Sequence, residues 1–206
     1  MNEQPNFKST GNQSPDSKLK KISAEIFDNV ETFVYGCCVL MFLLTFVFRI
    51  CQVDGPSMNK TLIHGDKLII SDMFYEPQQY DIVVFHQTDA SRQGYNERIV
   101  KRVIATGGHY VKIDFDNDAV YVSEDNVFDD SDLIDESEYK YLDIGRWKRS
   151  GVLETYVPEG KLFVMGDNRN NSADSRTADI GLVDSRRVLG KVALRFMPLS
   201  DIRMFN

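Results

Sequence analysis

Ser57 and Lys101 are a serine and a lysine of this 206-residue chain whose types and local sequences suit nucleophilic chemistry. Ser57 follows Gly55 and Pro56, which favour a tight turn rather than a helix. A hydroxyl held on such a turn can act as a nucleophile if a nearby group takes its proton. Taken alone, a serine after Gly-Pro is more simply a turn or helix-capping residue.

Lys101 lies in the run RIVKRVIAT at 98–106, which has the composition of a strand. Alternation places Lys101 on the face of Ile99 and Val103, and Arg102 on the opposite face, so one of the two cations points inward. Burial lowers the pKa of a lysine because desolvation penalises the ammonium. A neutral lysine can then activate a serine without histidine or aspartate. An exposed lysine at a strand edge is the alternative.

A third stretch, GDNRNNSADSR at 166–176, follows the apolar run KLFVM. It is dense in turn-forming and hydrogen-bonding residues at the end of a predicted strand. Arg169 and Arg176 can each pair with Asp167 or Asp174. A purely structural salt-bridged loop explains this composition but not the density of specific groups.

These stretches resemble the type I signal peptidases, which are membrane-anchored serine–lysine proteases, over about residues 18–200. The matching motifs occur in the order of the family: VDGPSMNKTL at 53–62, HGD at 64–66 with YDIVVF at 80–85, VKRVI at 100–104, and GDNRNNSADSR at 166–176.

The resemblance implies that Ser57 is the nucleophile and Lys101 the general base. It implies small pockets, lined by Val53, Met58 and Val100, that accept small residues at P1 and P3 and so give an A-x-A preference. The supporting residues that it implies are Ser172, which orients Lys101, and Asp174, which pairs with Arg176 and Arg102.

The chain departs from the pattern of the family at several positions. Lys60 stands where proline is usual, Tyr80 replaces a glycine, and 105–109 reads ATGGH instead of GLPGD. Gly55 occupies a position where some members have a serine that contributes to the oxyanion hole, so the Ser57 N–H with another donor would have to serve. A peptidase specialised for a few substrates remains an alternative to a general one.

After Leu62 the sequence predicts an all-β domain, a signal-peptidase-like, partly open β-barrel behind a single N-terminal transmembrane helix. The acidic loop Asp116-Asn117-Asp118 is predicted to turn a hairpin. The predicted strands are 67–71, 81–86, 98–106, 110–115, 119–123, 161–165 and 188–196.

The N-terminal region divides into a disordered polar tail at 1–17, an amphipathic juxtamembrane segment at 18–32 and a transmembrane anchor at 33–52. The β-rich peptidase domain is predicted at 53–206. No small-residue cleavage site follows the apolar run, which argues against a removed signal peptide. Positive charges flank the run on both sides and leave its orientation open. The resemblance implies a single-pass cell-membrane protein with a cytoplasmic N-terminus and an extracytoplasmic catalytic domain.

Composition narrows the possible partners. The formal charge of −7 makes nucleic acid an improbable partner, since an acidic domain repels phosphates. No metal or other cofactor is expected, because the three histidines lack paired ligand spacing and Ala119 replaces the glycine that a calcium loop would need after Asp114. The expected partners are precursor proteins that carry signal peptides, together with membrane lipid.

Two alternative functions are compatible with parts of this pattern. One is a self-cleaving serine–lysine protease of the repressor type, which would carry a DNA-binding domain where this chain has an apolar run. The other is an anchored β domain that binds partners without catalysis, against which the complete set of Ser57, Lys101 and Ser172 argues.

Overall fold

The computed structural model describes residues 15–46, 48–73, 75–88, 96–142 and 149–205. The chain divides into two compact units, Met1–Phe46 and Val47–Asn206. Residues 1–14 of the predicted tail lie outside the described part, whereas residues 15–17 are helical.

The described residues of the first unit form one helix, α1, at Pro15–Phe46. Its segment Glu25–Leu43 is long and apolar enough to cross a membrane, and its side chains are exposed throughout. A helix that exposes apolar side chains all round fits a lipid environment. The predicted anchor at 33–52 stays a prediction, and the structure places its last residues, Phe48–Gln52, in a strand of the second unit.

The second unit is built from strands, which confirms the predicted all-β class. The strands are β1 (Phe48–Gln52), β2 (Lys67–Ser71), β3 (Ile82–Thr88), β4 (Asn96–Ala105), β5 (Tyr110–Asp114), β6 (Ala119–Ser123), β7 (Val152–Tyr156), β8 (Lys161–Met165), β9 (Val183–Asp184), β10 (Val188–Met197) and β11 (Arg203–Met204). All seven predicted strands are present within two residues of the expected ends, and β5 and β6 form the predicted hairpin.

Two sheets organise these strands. The larger has the order β1-β2-β10-β3-β4-β8-β9, with β11 beside β10, and the smaller has the order β6-β5-β7. The pairings of the larger sheet end at β1 and β9, so within the described residues this sheet stays open.

β3 at 82–85 and β4 at 101–105 are buried on both faces, which explains why apolar residues occupy successive positions there. Val84 packs in one apolar cluster with Val53 and Met58, whereas Val83 and Phe85 pack in another with β8 and β9. A third cluster joins the two sheets around Val111 and Phe163. The sheet thereby holds β4, which carries Lys101, between apolar layers.

β4 is paired fully on one side and only partly on the other. Its residues 96–102 pair with β3, but β8 pairs only with Arg102, Val103 and Ala105. Across the described residues, β8 therefore leaves the second edge of β4 uncovered at 98–101. In an antiparallel strand, alternate backbone groups point to each edge, so N–H and C=O groups face this uncovered side.

Candidate active site

Ser57 and Lys101 meet in the structure as the sequence predicts. Lys101 Nζ lies 2.7 Å from Ser57 Oγ, which is hydrogen-bonding distance. Lys101 is 3% exposed, whereas Ser57 is partly exposed at the surface of a pocket. A buried base and an accessible hydroxyl in direct contact can deprotonate and deliver a nucleophile.

Burial lowers the pKa of Lys101 from 10.5 to about 8, because desolvation penalises its ammonium form. The Asp174 carboxylate opposes this change, and the Arg176 guanidinium reinforces it. At pH 7 about 10% of Lys101 is thus neutral and able to accept the proton of Ser57.

The loop that carries Ser57 is held by its own backbone. Asn59 N–H donates to Pro56 O at 3.1 Å, and Leu62 N–H donates to Met58 O at 2.9 Å. Gly55 has a φ of +83°, a conformation that residues with a Cβ rarely adopt. The Gly55 N–H donates to His64 Nδ1 at 3.3 Å.

The turn after β8 fixes this loop from the opposite side. Asn168 donates its backbone N–H to Ser57 O at 3.0 Å and its side-chain Nδ2–H to Pro56 O at 3.1 Å. The Thr61 hydroxyl donates to Asp167 Oδ2 at 2.5 Å. The candidate nucleophile loop, residues 55–62, and the 166–176 stretch therefore form one hydrogen-bonded unit.

Gly166 permits this close approach. A Cβ at residue 166 would lie 2.5 Å from Ser57 O and 2.6 Å from Ser172 Cβ, distances that packed atoms do not tolerate. The glycine is required for its lack of a side chain, since its φ lies outside the left-handed range.

The expected ion pairs are partly confirmed. Asp174 accepts from Arg176 Nε at 2.8 Å. Burial raises the pKa of the Asp174 carboxyl, but the Arg176 guanidinium, the Gly166 N–H and the Ser172 hydroxyl together lower it below its ordinary value. The expected pair of Asp174 with Arg102 is wrong. Arg102 instead donates to both carboxylate oxygens of Asp167, at 2.9 and 2.8 Å. Asp167 is fully buried in the turn after β8, whose last residue, Met165, pairs with Arg102, and sequence spacing could not choose between the two carboxylates.

Ser172 is 2% exposed, and its hydroxyl lies 3.5 Å from Ala173 O. Its hydroxyl also contributes to the lowered pKa of Asp174. The role of Ser172 in orienting Lys101 stays a prediction.

The three residues expected to bind substrate line one pocket together with the dyad. Val53, Met58 and Val100 form the apolar wall of this pocket, and Ser57 and Lys101 line the same pocket. Val53 and Met58 are 2% and 1% exposed, so the apolar wall is fixed by core packing. The uncovered edge of β4 borders this pocket, because Val100 and Lys101 belong to both.

Sequence reasoning missed the residues of 136–141 that support the site. Glu136 forms a buried ion pair with Arg169, and the Tyr139 ring lies 4.1 Å from the Arg102 guanidinium carbon. These residues belong to an acidic, polar stretch without periodicity, which is typical of a solvated loop. Only the alternation of tyrosine with charged residues in EYKY, at 138–141, distinguishes it from its surroundings.

This chain matches a family model of signal peptidases and sequence relatives that are signal peptidases. The family described as "Signal peptidase, peptidase S26" matches residues 26–197. A signal peptidase I of Bacillus caldolyticus is 37% identical over 80% of this chain and 87% of its own length. A signal peptidase I of Bacillus amyloliquefaciens is 30% identical over 94% of this chain and 98% of its own length. A crystal structure of a signal peptidase I from Enterococcus faecalis aligns with a TM-score of 0.37 at 26% identity, covering 57% of this chain and 97% of that one.

Proposed function

The chain belongs to the signal peptidase family, peptidase S26, and is a protease of the signal peptidase I type; from this premise we propose its catalytic residues, its substrates and its topology. In this proposal, it cleaves N-terminal signal peptides from precursor proteins after small residues in A-x-A sequences. Ser57 is the nucleophile and neutral Lys101 the general base. The 2.7 Å contact between Lys101 Nζ and Ser57 Oγ carries the proposal.

The chemistry proceeds in two halves. Neutral Lys101 takes the Ser57 proton as Oγ attacks the scissile carbonyl, and the resulting Lys101 ammonium then protonates the leaving amine. An acyl ester on Ser57 remains. Lys101, neutral again, takes a proton from the water that attacks the ester and returns it to Ser57 Oγ as the bond between Oγ and the acyl carbon breaks, which releases the signal peptide and restores the enzyme. The Ser57 N–H is the proposed oxyanion donor, with a second donor not assigned.

The substrate is proposed to bind extended along the uncovered edge of β4 at 98–101. Backbone hydrogen bonds to a strand edge supply affinity without regard to sequence, and side chains that alternate toward the protein supply specificity. P1 and P3 would both face the wall of Val53, Met58 and Val100. Since core packing holds this wall, side chains larger than alanine at these positions would clash with it.

Supporting roles are proposed for Ser172, Asp174, Arg176 and Arg102. Ser172 would orient Lys101. The buried Asp174–Arg176 pair would hold the stretch that carries Ser172, and Arg102 would hold Asp167 beside the nucleophile loop.

The apolar helix and the family indicate a membrane-anchored protein. We assign its N-terminus to the cytoplasm and its catalytic domain to the outer side of the cell membrane, where precursors emerge. Membrane lipid is then the second proposed partner beside the precursor. Only 10 residues lie between the last residue of α1 and Ser57, so in sequence the nucleophile follows the anchor closely.

The test is cleavage of a precursor with an A-x-A site by the full chain in detergent micelles. The wild type should cleave after the second alanine, as located by mass spectrometry, whereas Ser57→Ala and Lys101→Met should not. Ser150→Ala and Lys112→Met, which alter a serine and a lysine outside the pocket, are matched controls that should cleave normally. Replacing the second alanine by phenylalanine should abolish cleavage.

Three results would contradict parts of the proposal. Cleavage that survives Ser57→Ala would refute the nucleophile. Cleavage of the phenylalanine precursor at the same bond would refute the small-residue pockets. A folded wild type that cleaves none of several A-x-A precursors would refute general signal-peptide processing.

A further inference from the structure

The segment at 136–141 contacts the turn that follows β8. Glu136 is 7% exposed and pairs with Arg169, which is itself 3% exposed. The Arg169 Nε–H donates to Gly166 O at 3.1 Å. A buried charge pair of this kind fixes register, because separating the partners leaves a charge buried without compensation.

Tyr141 is the residue of this segment that reaches both halves of the site. Its N–H donates to Asp167 O at 2.8 Å, and its carbonyl accepts from Arg169 N–H at 2.9 Å, in a parallel bridge opposite Asn168. Its ring lies 4.6 Å from Nζ of Lys60, a residue of the nucleophile loop.

Tyr141 attaches the loop that carries Ser57 to the 166–176 stretch at a second point. Asn168 holds Ser57 O and Pro56 O from within the 166–176 stretch. Lys60 lies three residues after Ser57 and is attached to the same stretch through the Tyr141 ring. A loop held at both ends against one support keeps its nucleophile aligned, and small misplacements of a nucleophile reduce rates steeply.

We propose that Tyr141 is a positioning residue for Ser57, acting through the cation–π contact of its ring with Lys60. This inference rests on the proposed function. Tyr141 does not touch the reacting atoms. Its ring favours the loop conformation in which Ser57 Oγ lies beside Lys101 Nζ. At an exposed site a cation–π contact changes the ratio of the favoured to the other loop conformations about 2- to 5-fold.

The test compares Tyr141→Leu, Lys60→Met and the double variant as full-length proteins in micelles, with kcat and KM measured separately. Each single variant should lower kcat about 2- to 5-fold and leave KM unchanged, since Lys60 and Tyr141 lie outside the substrate pocket. The double variant should be no slower than the slower single variant, because both changes remove the same contact. Tyr141→Phe keeps the ring and should restore the wild-type kcat.

The pair Lys112 and Tyr121 provides a matched control. Lys112 Nζ lies 5.4 Å from the Tyr121 ring in the three-stranded sheet, outside the site. Lys112→Met and Tyr121→Leu should leave kcat unchanged. An unchanged kcat in Tyr141→Leu, additive effects in the double variant, or a Tyr141→Phe as slow as Tyr141→Leu would each overturn the inference.

Hydrogen exchange at 56–62 gives a readout that does not depend on catalysis. Tyr141→Leu and Lys60→Met should both accelerate exchange of the Asn59 and Leu62 amides, which are hydrogen-bonded within the loop. Unchanged exchange in both variants would overturn the inference. A wild type that cleaves no precursor would refute the proposed function, and the exchange rates would still decide the role of Tyr141.

Discussion

Raising the pH from 6 to 10 should activate the enzyme along the titration of Lys101. The folded-state pKa of about 8 lies below the ordinary value of 10.5 because the side chain is buried. The neutral form is the base, so kcat/KM should rise about tenfold per pH unit below 8 and level off above it.

The size of the effect follows from the two pKa values. At pH 7, about 10% of a lysine with a pKa of 8 is neutral, against about 0.03% of one with a pKa of 10.5. Burial therefore enriches the active base about 300-fold, which corresponds to about 3 kcal/mol at 1.36 kcal/mol per pKa unit.

The assay is kcat/KM for an A-x-A precursor peptide across this pH range, with circular dichroism at each pH to show that the protein stays folded. Lys101→Arg is the matched control, since arginine keeps its proton throughout and should give no activity at any pH. A profile that is flat from pH 6 to 10, or a midpoint near 10.5 in a folded enzyme, would refute the reasoning.

Three further predictions concern the same framework. Between pH 8 and 10.5 the unfolded chain keeps the Lys101 proton that the folded chain has lost, so the free energy of unfolding of the wild type should rise with pH across this range. In urea unfolding, the stability of Lys101→Met relative to the wild type should therefore be up to about 3 kcal/mol greater at pH 6 than at pH 10. A difference between the two proteins that does not change with pH would contradict this. Gly166→Ala should lower the free energy of unfolding by about 1–3 kcal/mol and abolish cleavage. The control Gly36→Ala adds a Cβ that meets no atom within 4 Å and should change neither stability nor cleavage. Normal cleavage by Gly166→Ala would show that the loops can separate. Arg102→Met leaves the Asp167 carboxylate buried without its partner and should cost about 3–5 kcal/mol in urea unfolding, so a loss below 1 kcal/mol would show that the pair is dispensable.

The sequence alone was enough for the strands and for the central contact. Short β-branched runs bounded by turn residues predicted the strands because period-two alternation and turn chemistry are local properties. Alternation also predicted that one of the two cations Lys101 and Arg102 points inward, whereas the structure buries both. The family motifs then brought Ser57 and Lys101 together, although 44 residues separate them in the chain.

The tertiary structure decided which partners the buried charges have. Asp167 and Asp174 are both near arginines in sequence, and only the packing of β4 against β8 gives Arg102 to Asp167 and leaves Asp174 to Arg176. The end of the anchor was equally ambiguous, because an apolar run does not distinguish a helix from the strand that Phe48–Gln52 forms with β2.

The segment at 136–141 shows the limit most clearly. Its residues have no periodic pattern, so the sequence favours a solvated loop, yet Glu136 is buried against Arg169 and Tyr141 joins both halves of the site. Local sequence determines local conformation and the burial of apolar faces. The pairing of polar groups depends on which distant segments meet, and that is fixed only when the whole domain packs.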